Sequence, residues 1–502
     1  MAVAAIREQR LSVVLDGVAH QLRGDDAVSI RGVTCNSREV QPGDLFVAIV
    51  GFTRDGHDFL NEAISRGASA LVVQADRTAR VPATWTGPIV TVPDTRWALG
   101  DLAANFHGHP SRQLRLIGVT GTNGKTTVTH LIAEVVAALG GTPGALGTLG
   151  MRVGDEHLPG DRTTPEATEV QATLADMLAR GATEVAMEVT SHGLALGRVV
   201  GCEFAAAVFT NLSRDHLDFH ESLEAYLAAK LRLFEEPRYG ANEQRINAVC
   251  IDDDAGRTVA QRARGRVVTY GLTPEATVHA REIKCAASGS RFTLVTPDGE
   301  WPMTLRLLGE WNVANALAVC ALAQGLGWPL EQVAAALAQA APVPGRMEPV
   351  PGRGRYAVLV DYSHTPASLE QALRTCRALA RARVLVVVGC GGDRDRGKRP
   401  LMGRAAAEGA ARVFITSDNP RGEEPGDIIE AIVAGVPAAA RAKCRIDADR
   451  RSAIFAAVFE ARAGDVVLIA GKGHETYQEV NGQKFPFDDR LIAAEARGER
   501  RG

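Results

Sequence analysis

The 502 residues, 46% hydrophobic and 23% charged, are enough for about three ordinary domains with separate cores, and a formal net charge of −3 argues against a nucleic-acid-binding surface. Eight cysteines lie scattered without a C-x-x-C pair, which argues against a thiolate zinc site or a disulfide framework and fits free thiols in a reducing cytoplasm. No apolar run reaches 18 residues and no basic leader precedes one, so membrane insertion is not expected and a cytoplasmic protein is.

In chain order, residues 1–94 carry short apolar strands at 45–50 and 70–73. Val92, Pro93 and Asp94 then introduce an amphipathic helix at 95–106 and a linker at 107–110. A central section, 95–344, has strand candidates at 117–120, 185–189, 205–210 and 248–252. These are nearly continuous apolar runs, as parallel strands covered on both faces require. Helices alternate with them, and polar alternation over 278–308 predicts hairpins. The Pro-rich linker 341–345 opens a third section, 345–502, with strands at 357–360, 384–388, 413–416 and 466–470. The expected fold is α/β in three domains: a small N-terminal α/β domain, a central P-loop-type domain with a mostly parallel sheet, and a Rossmann-like C-terminal domain.

The most specific segment is Thr120-Gly121-Thr122-Asn123-Gly124-Lys125-Thr126-Thr127, set between an apolar strand and a helix at 128–139. Strand, glycine turn, Lys-Thr and helix form a cradle for nucleotide phosphates. Lys125 would reach the β- and γ-phosphates and Thr126 would place its hydroxyl on Mg²⁺. Val119 stands where the usual pattern has its first Gly, and the alternative is a glycine turn with a chance Lys.

Glu188 ends one strand ahead of Thr190, Ser191 and His192, and the 205–210 strand ends ahead of Asn211, Asp215 and His216. Glu188 and His216 could join Thr126 around Mg²⁺, although His216 by itself also fits a structural histidine. Only seven of the 56 basic residues are Lys, so the neighbours of Lys125, Lys230 and Lys472 make a specific need for Lys plausible. Judged on its helix alone, Lys230 reads as an ordinary solvated lysine. In the third section, Asp361, 389–396, 417–421 and 471–475 fall at strand ends, on one edge of a parallel sheet. Arg394 and Arg421 could each fork a carboxylate, and Asp418 and Glu475 could hold an ammonium, which suits a zwitterion. The alternative is a set of solvated ion pairs.

These motifs, with Asn312 and Asn315, Gly345-Arg346-Met347-Glu348 and 361–366, resemble in order those of the Mur ligases of peptidoglycan synthesis. Asp418-Asn419-Pro420-Arg421 is similar to the signature of the members that add meso-diaminopimelate rather than lysine. The resemblance implies an ATP-dependent amide ligase, monomeric, acting on UDP-N-acetylmuramoyl-L-alanyl-D-glutamate through an acyl phosphate. It implies that residues 1–94 bind the UDP substrate, 95–344 bind ATP and 345–502 bind the amino acid. It places Gly121, Thr122, Asn123, Gly124, Lys125, Thr126, Thr127, Asn312, Asn315, Arg346 and Asp361 at ATP. It makes Lys125, Lys230, His216 and Glu188 catalytic, with Lys230 a carbamate (N6-carboxylysine) able to bind Mg²⁺ beside Thr126, Glu188 and His216. Cys35, Ser37, Arg162, Thr163, Thr164, Thr190, Leu196 and Arg198 would contact the UDP substrate, with Cys35, Arg162 and Leu196 departing from residues common in relatives. Arg394, Asp418, Asn419, Pro420, Arg421, Gly471 and Glu475 would bind diaminopimelate. The alternatives are lysine addition by the same fold and a nucleotide-binding scaffold without turnover.

Overall fold

The computed structural model describes residues 8–52, 54–160, 162–286 and 289–499. Three sheets dominate it. The N-terminal sheet has five strands, four of them parallel: Gly32–Thr34, Asp44–Val47, Ala70–Gln74 and Ile89–Val92, with antiparallel Gln21–Arg23 at the edge. The central sheet has eleven strands. Its parallel middle runs in the order Pro143–Gly147, Glu184–Glu188, Arg115–Thr120, Ala206–Phe209, Ile246–Cys250, Arg266–Gly271 and Val278–Ala286. The segment expected to form hairpins supplies one end of this sheet, with Gly289–Thr296 and Gly299–Leu305 added antiparallel. The C-terminal sheet has six strands, and Ala357–Asp361, Val466–Ala470, Val384–Val388, Arg412–Ile415 and Cys444–Ile446 are parallel neighbours in that order.

Apolar side chains cover both faces of each sheet. On the central sheet, Leu131, Ile132 and Val135 pack one face together with Val313, Leu317 and Leu337, while Val170, Leu174 and Phe234 pack the other. Two-sided burial is why these strands read as unbroken apolar runs rather than alternating ones.

The helix Thr95–His107, expected to open the central section, packs on both sections: Trp97 lies against the central core and Gly100 against Val200 O. Its Ala98, Leu99, Leu102 and Phe106 share one core with Leu11, Val14, Leu45 and Val72 of the N-terminal section. Asn105 fixes it there by donating to Val14 O at 2.9 Å and Asp16 O at 2.7 Å. The apolar stripe fits the face of the N-terminal sheet, and a linker Pro cannot reveal which sheet a stripe will find. At the other junction Leu308 lies in the core of the C-terminal section, with Trp311 against it.

Beneath the C-terminal edge of the third sheet lies a fully buried ion pair. Arg450 donates to Asp489 at 2.9 Å (Nε) and 2.6 Å (Nη2), with both side chains 0% exposed. Its Nη1 and Nη2 also donate to the carbonyls of Ser417 and Ala470, at the ends of two strands. Removing one partner strands the other charge in a dry interior. Arg450→Met is expected to destabilise the C-terminal section by about 3–5 kcal/mol. This would be read as a lowered urea midpoint for its unfolding transition, and an unchanged midpoint would contradict the assignment.

Candidate active site

The strand Arg115–Thr120 runs between Glu184–Glu188 and Ala206–Phe209, so residues 121–124 emerge at the crevice of the central sheet. They turn directly into the helix Lys125–Ala138, whose N-terminal amides face the crevice. Gly124 has φ +89°, and a Cβ there would stand 2.4 Å from Asn315 Oδ1. The turn therefore requires glycine both for its backbone conformation and for space. Asn211, at the end of the next strand, clamps the loop: its Oδ1 accepts from Asn123 N at 3.0 Å and its Nδ2 donates to Asn123 O at 3.1 Å.

Two lysines converge on this loop. Lys125 Nζ donates to Gly121 O at 3.0 Å and Thr122 O at 2.8 Å. Lys230 Nζ, from the helix Leu223–Glu235, donates to the same Gly121 O at 2.8 Å. Lys230 is 1% exposed, so the solvated-lysine expectation is corrected. Its helix turns Tyr226 and Lys230, four residues apart, inward together, and Nζ sits 4.3 Å from the Tyr226 ring centre. Burial, and next the charge on Lys125, hold the Lys230 ammonium well below the usual lysine range. Burial also lowers Lys125, opposed by Glu188 and Asp215.

A cavity of about 540 Å³ opens in front of the loop. Thr126, Glu188, His216 and Asn315 line it from the central section and Arg346, Asp361 and His364 from the C-terminal one. Glu188 is buried and held by the backbone N–H (2.8 Å) and hydroxyl (3.1 Å) of Thr148, a residue that sequence reasoning did not single out. His216 is pushed down to about 4, first by burial, so its imidazole is neutral near pH 7 and able to ligate a metal. A hydroxyl, a carboxylate and a neutral imidazole on one cavity fit Mg²⁺, which is held by few protein ligands together with substrate phosphates. Among the described residues no three His, Cys, Asp or Glu side chains could hold a metal by themselves, so phosphate oxygens would have to complete such a site.

Arg346 joins the two sections. Its Nη2 donates to Thr126 Oγ1 at 3.0 Å and its guanidinium lies 4.4 Å from the Tyr362 ring centre. Asp361 accepts from Met347 N at 2.8 Å and Ser363 N at 2.9 Å, and burial raises its carboxyl above the usual range. Asn312 does not line the cavity. It donates to Leu308 O and accepts from Asn315 Nδ2 at 3.0 Å, so it braces Asn315.

The residues expected at the UDP substrate fall into one linked set and two outliers. Thr163 Oγ1 meets Thr148 Oγ1 at 3.1 Å, and Thr164 Oγ1 donates to Glu188 O and accepts from Thr190. Arg198 donates to Thr164 O, and Arg162 and Arg198 both pair with Glu166, which Arg96 also approaches at 3.6 Å. Glu166 and Arg96 were not expected. Cys35 lies near this group, its thiol pushed up to about 12 by burial and then Glu166. Ser37 donates to Glu62 instead, and among the described residues no side-chain hydrogen bond or ion pair links Ser37 or Leu196 to the set.

At the C-terminal sheet edge, Arg421 and Arg394 both flank Gly391. Arg421 Nε is paired with Glu479 at 3.1 Å and Nη1 with Gly392 O at 2.9 Å, so Nη2 and the spare proton of Nη1 are what a ligand carboxylate could take. Asp418 reaches so close to Gly471 that a Cβ there would lie 2.4 Å from its Oδ2. Pro420 directs its carbonyl to Glu423 N at 3.0 Å, inside the turn. Asn419 and Glu475 are joined at 2.8 Å.

A phosphate loop facing a second parallel sheet with charged loops at its strand ends fits a nucleotide-dependent α/β ligase. Family models divide the chain accordingly: a Mur ligase family catalytic domain matches residues 29–107, a Mur ligase middle domain 119–323 and a Mur ligase glutamate ligase domain 345–473. The chain belongs to the Mur ligase family. It is 45% identical to the UDP-N-acetylmuramoyl-L-alanyl-D-glutamate–2,6-diaminopimelate ligase of Geobacillus thermodenitrificans, over 93% of this chain and 94% of that one. It is 41% identical to the Geobacter sulfurreducens protein of the same name, over 98% of each. A solved structure of a ligase of that name, 33% identical, superposes with a TM-score of 0.69 over 98% of this chain and 99% of that one.

Replacing Gly124 by Ala is expected to weaken ATP binding by about tenfold, from the cost of φ > 0 and the displacement of Asn315. Titration calorimetry with ATP checks this, and an unaltered Kd would mean that the loop does not cradle the nucleotide.

Proposed function

We propose that the protein joins meso-2,6-diaminopimelate to UDP-N-acetylmuramoyl-L-alanyl-D-glutamate, consuming ATP in the synthesis of peptidoglycan precursor. The placing of Arg394, Asp418, Arg421 and Glu475 on loops that follow three adjacent parallel strands of the third sheet carries this reading. Two cations and two anions match the carboxylates and ammonium groups of a diamino diacid.

A carboxylate is a poor electrophile. Its oxygen first attacks the γ-phosphorus of ATP, giving an acyl phosphate and ADP. The amine of the amino acid then attacks the acyl carbon, phosphate departs with the C–O electron pair, and the nitrogen loses a proton. Lys125 and the amides of 121–126 would hold the phosphates, with Arg346 and Asp361 closing on the nucleotide from the third section. Such a site works by positioning and by neutralising charge. Thr126, Glu188 and His216 would hold Mg²⁺, which when bound would offset the charge on the transferring phosphoryl group.

Lys230 supports a carbamate reading. A neutral amine reacts with CO₂, and burial favours the neutral form here. The product is an anion beside Lys125, which removes the clash of two ammonium groups at Gly121 O. Turnover is expected to fall in CO₂-depleted buffer and to recover with bicarbonate in the wild type. Turnover indifferent to bicarbonate, with Lys230→Ala still active, would rule the carbamate out.

The test of the reaction is phosphate release with ATP, Mg²⁺ and the UDP-muramoyl dipeptide, offering meso-diaminopimelate and L-lysine separately. Turnover with diaminopimelate alone is expected. Arg421→Ala should raise the KM for diaminopimelate about 10- to 100-fold, the range of a lost charge-assisted contact, with the KM for ATP little changed. Turnover with lysine instead would keep the mechanism and remove the specificity.

A further inference from the structure

Lys472 is 0% exposed, and it sits in a loop where the neighbouring functional residues are 471 and 475. Its Nζ donates to Asn419 Oδ1 at 3.0 Å and to Glu475 Oε2 at 2.8 Å, and it lies 5.6 Å from the Tyr477 ring centre. Asn419 closes the triangle. Its Nδ2 donates to Glu475 Oε2 at 2.8 Å, while its Oδ1 also accepts Glu479 N at 3.0 Å, so the amide has only one orientation that satisfies all partners. Two donors therefore hold Oε2 of Glu475, and no described residue donates a hydrogen bond to Oε1.

We infer that Lys472 is a positioning residue for the amino-acid substrate: it pins Oε2 of Glu475 so that Oε1 is presented to the substrate's ammonium group. This rests on the ligase reading above. Without the lysine, Glu475 would keep only the neutral Asn419 donor and its carboxylate would be free to rotate. The geometry also explains why lysine stands here in a chain that otherwise prefers arginine. A compact ammonium with two oxygen partners and a ring nearby fills the buried space. A guanidinium would bring five donors to two acceptors.

The experiment is steady-state kinetics of full-length Lys472→Met and Lys472→Gln, each confirmed to be folded by its thermal transition. The KM for meso-diaminopimelate is expected to rise about 10- to 100-fold, the equivalent of losing a hydrogen bond to a charged group, while the KM for ATP and for the UDP-muramoyl dipeptide stays within about twofold. Lys472→Arg is not expected to rescue. The double variant Lys472→Met/Glu475→Gln should be no worse than Glu475→Gln alone, because one residue acts through the other. If Met does not fold at this buried position, Gln, which replaces the ammonium by a shorter, neutral amide, carries the same comparison. A folded variant with unchanged KM for diaminopimelate, an equal rise for all substrates, or full additivity in the double variant would overturn the inference alone. A wild type without turnover on diaminopimelate would remove the ligase reading and this inference with it.

Discussion

Two lysine amines meet at one backbone oxygen, Gly121 O, and the site is organised around that meeting. Two positive charges at one carbonyl are unfavourable, and burial, then the charge on Lys125, lowers the pKa of Lys230. The loop is held open for phosphate by what surrounds it: Asn211 on one side, Asn315 against Gly124 on the other, and Tyr226 beneath. Phosphate oxygens arriving there would meet cations already desolvated, where electrostatic attraction is stronger than in water.

The third sheet supplies the other half of the chemistry through its strand ends. Arg346 crosses the junction to Thr126, and Asp361 lines the same cavity from the end of the strand Ala357–Asp361. The loop 471–475 faces both ways. Lys472 and Glu475 pair on the side of Asn419, while the N–H of His474 lies where Gly345, at the junction, leaves room for it. The loop 471–475 thus meets the cavity through His474, whose ring centre lies 5.3 Å from that of Tyr362, a residue of the cavity wall. The ligase reading needs such closeness, because amine and acyl phosphate must meet without water.

Much of this was legible from local pattern. The strands Val384–Val388 and Val466–Ala470 coincide with their expected bounds, since a parallel strand buried on both faces is simply an apolar run. The phosphate loop was legible because its glycines answer a local backbone demand. Lys230 was not, taken by itself: its burial depends on which side of Leu223–Glu235 faces the sheet, and a helix with apolar residues on several sides does not announce that. Thr148 and Glu166 were missed for a similar reason. Each acts through partners far away in the chain, Thr148 through Glu188 and Glu166 through Arg198.

The sequence by itself determined the alternation of strand and helix, the glycine turn, and which charged residues sit at strand ends, because each follows from spacing along the chain. Only the tertiary structure decided which of those ends face each other. It placed the helix Thr95–His107 on the N-terminal sheet and committed one edge of the Arg421 fork to Glu479. It also gave Lys472 two acceptors in a fully buried position. The physical reason is that burial and long-range pairing are properties of packed surfaces, and desolvation, which lowers the pKa of Lys230, exists only once those surfaces have closed.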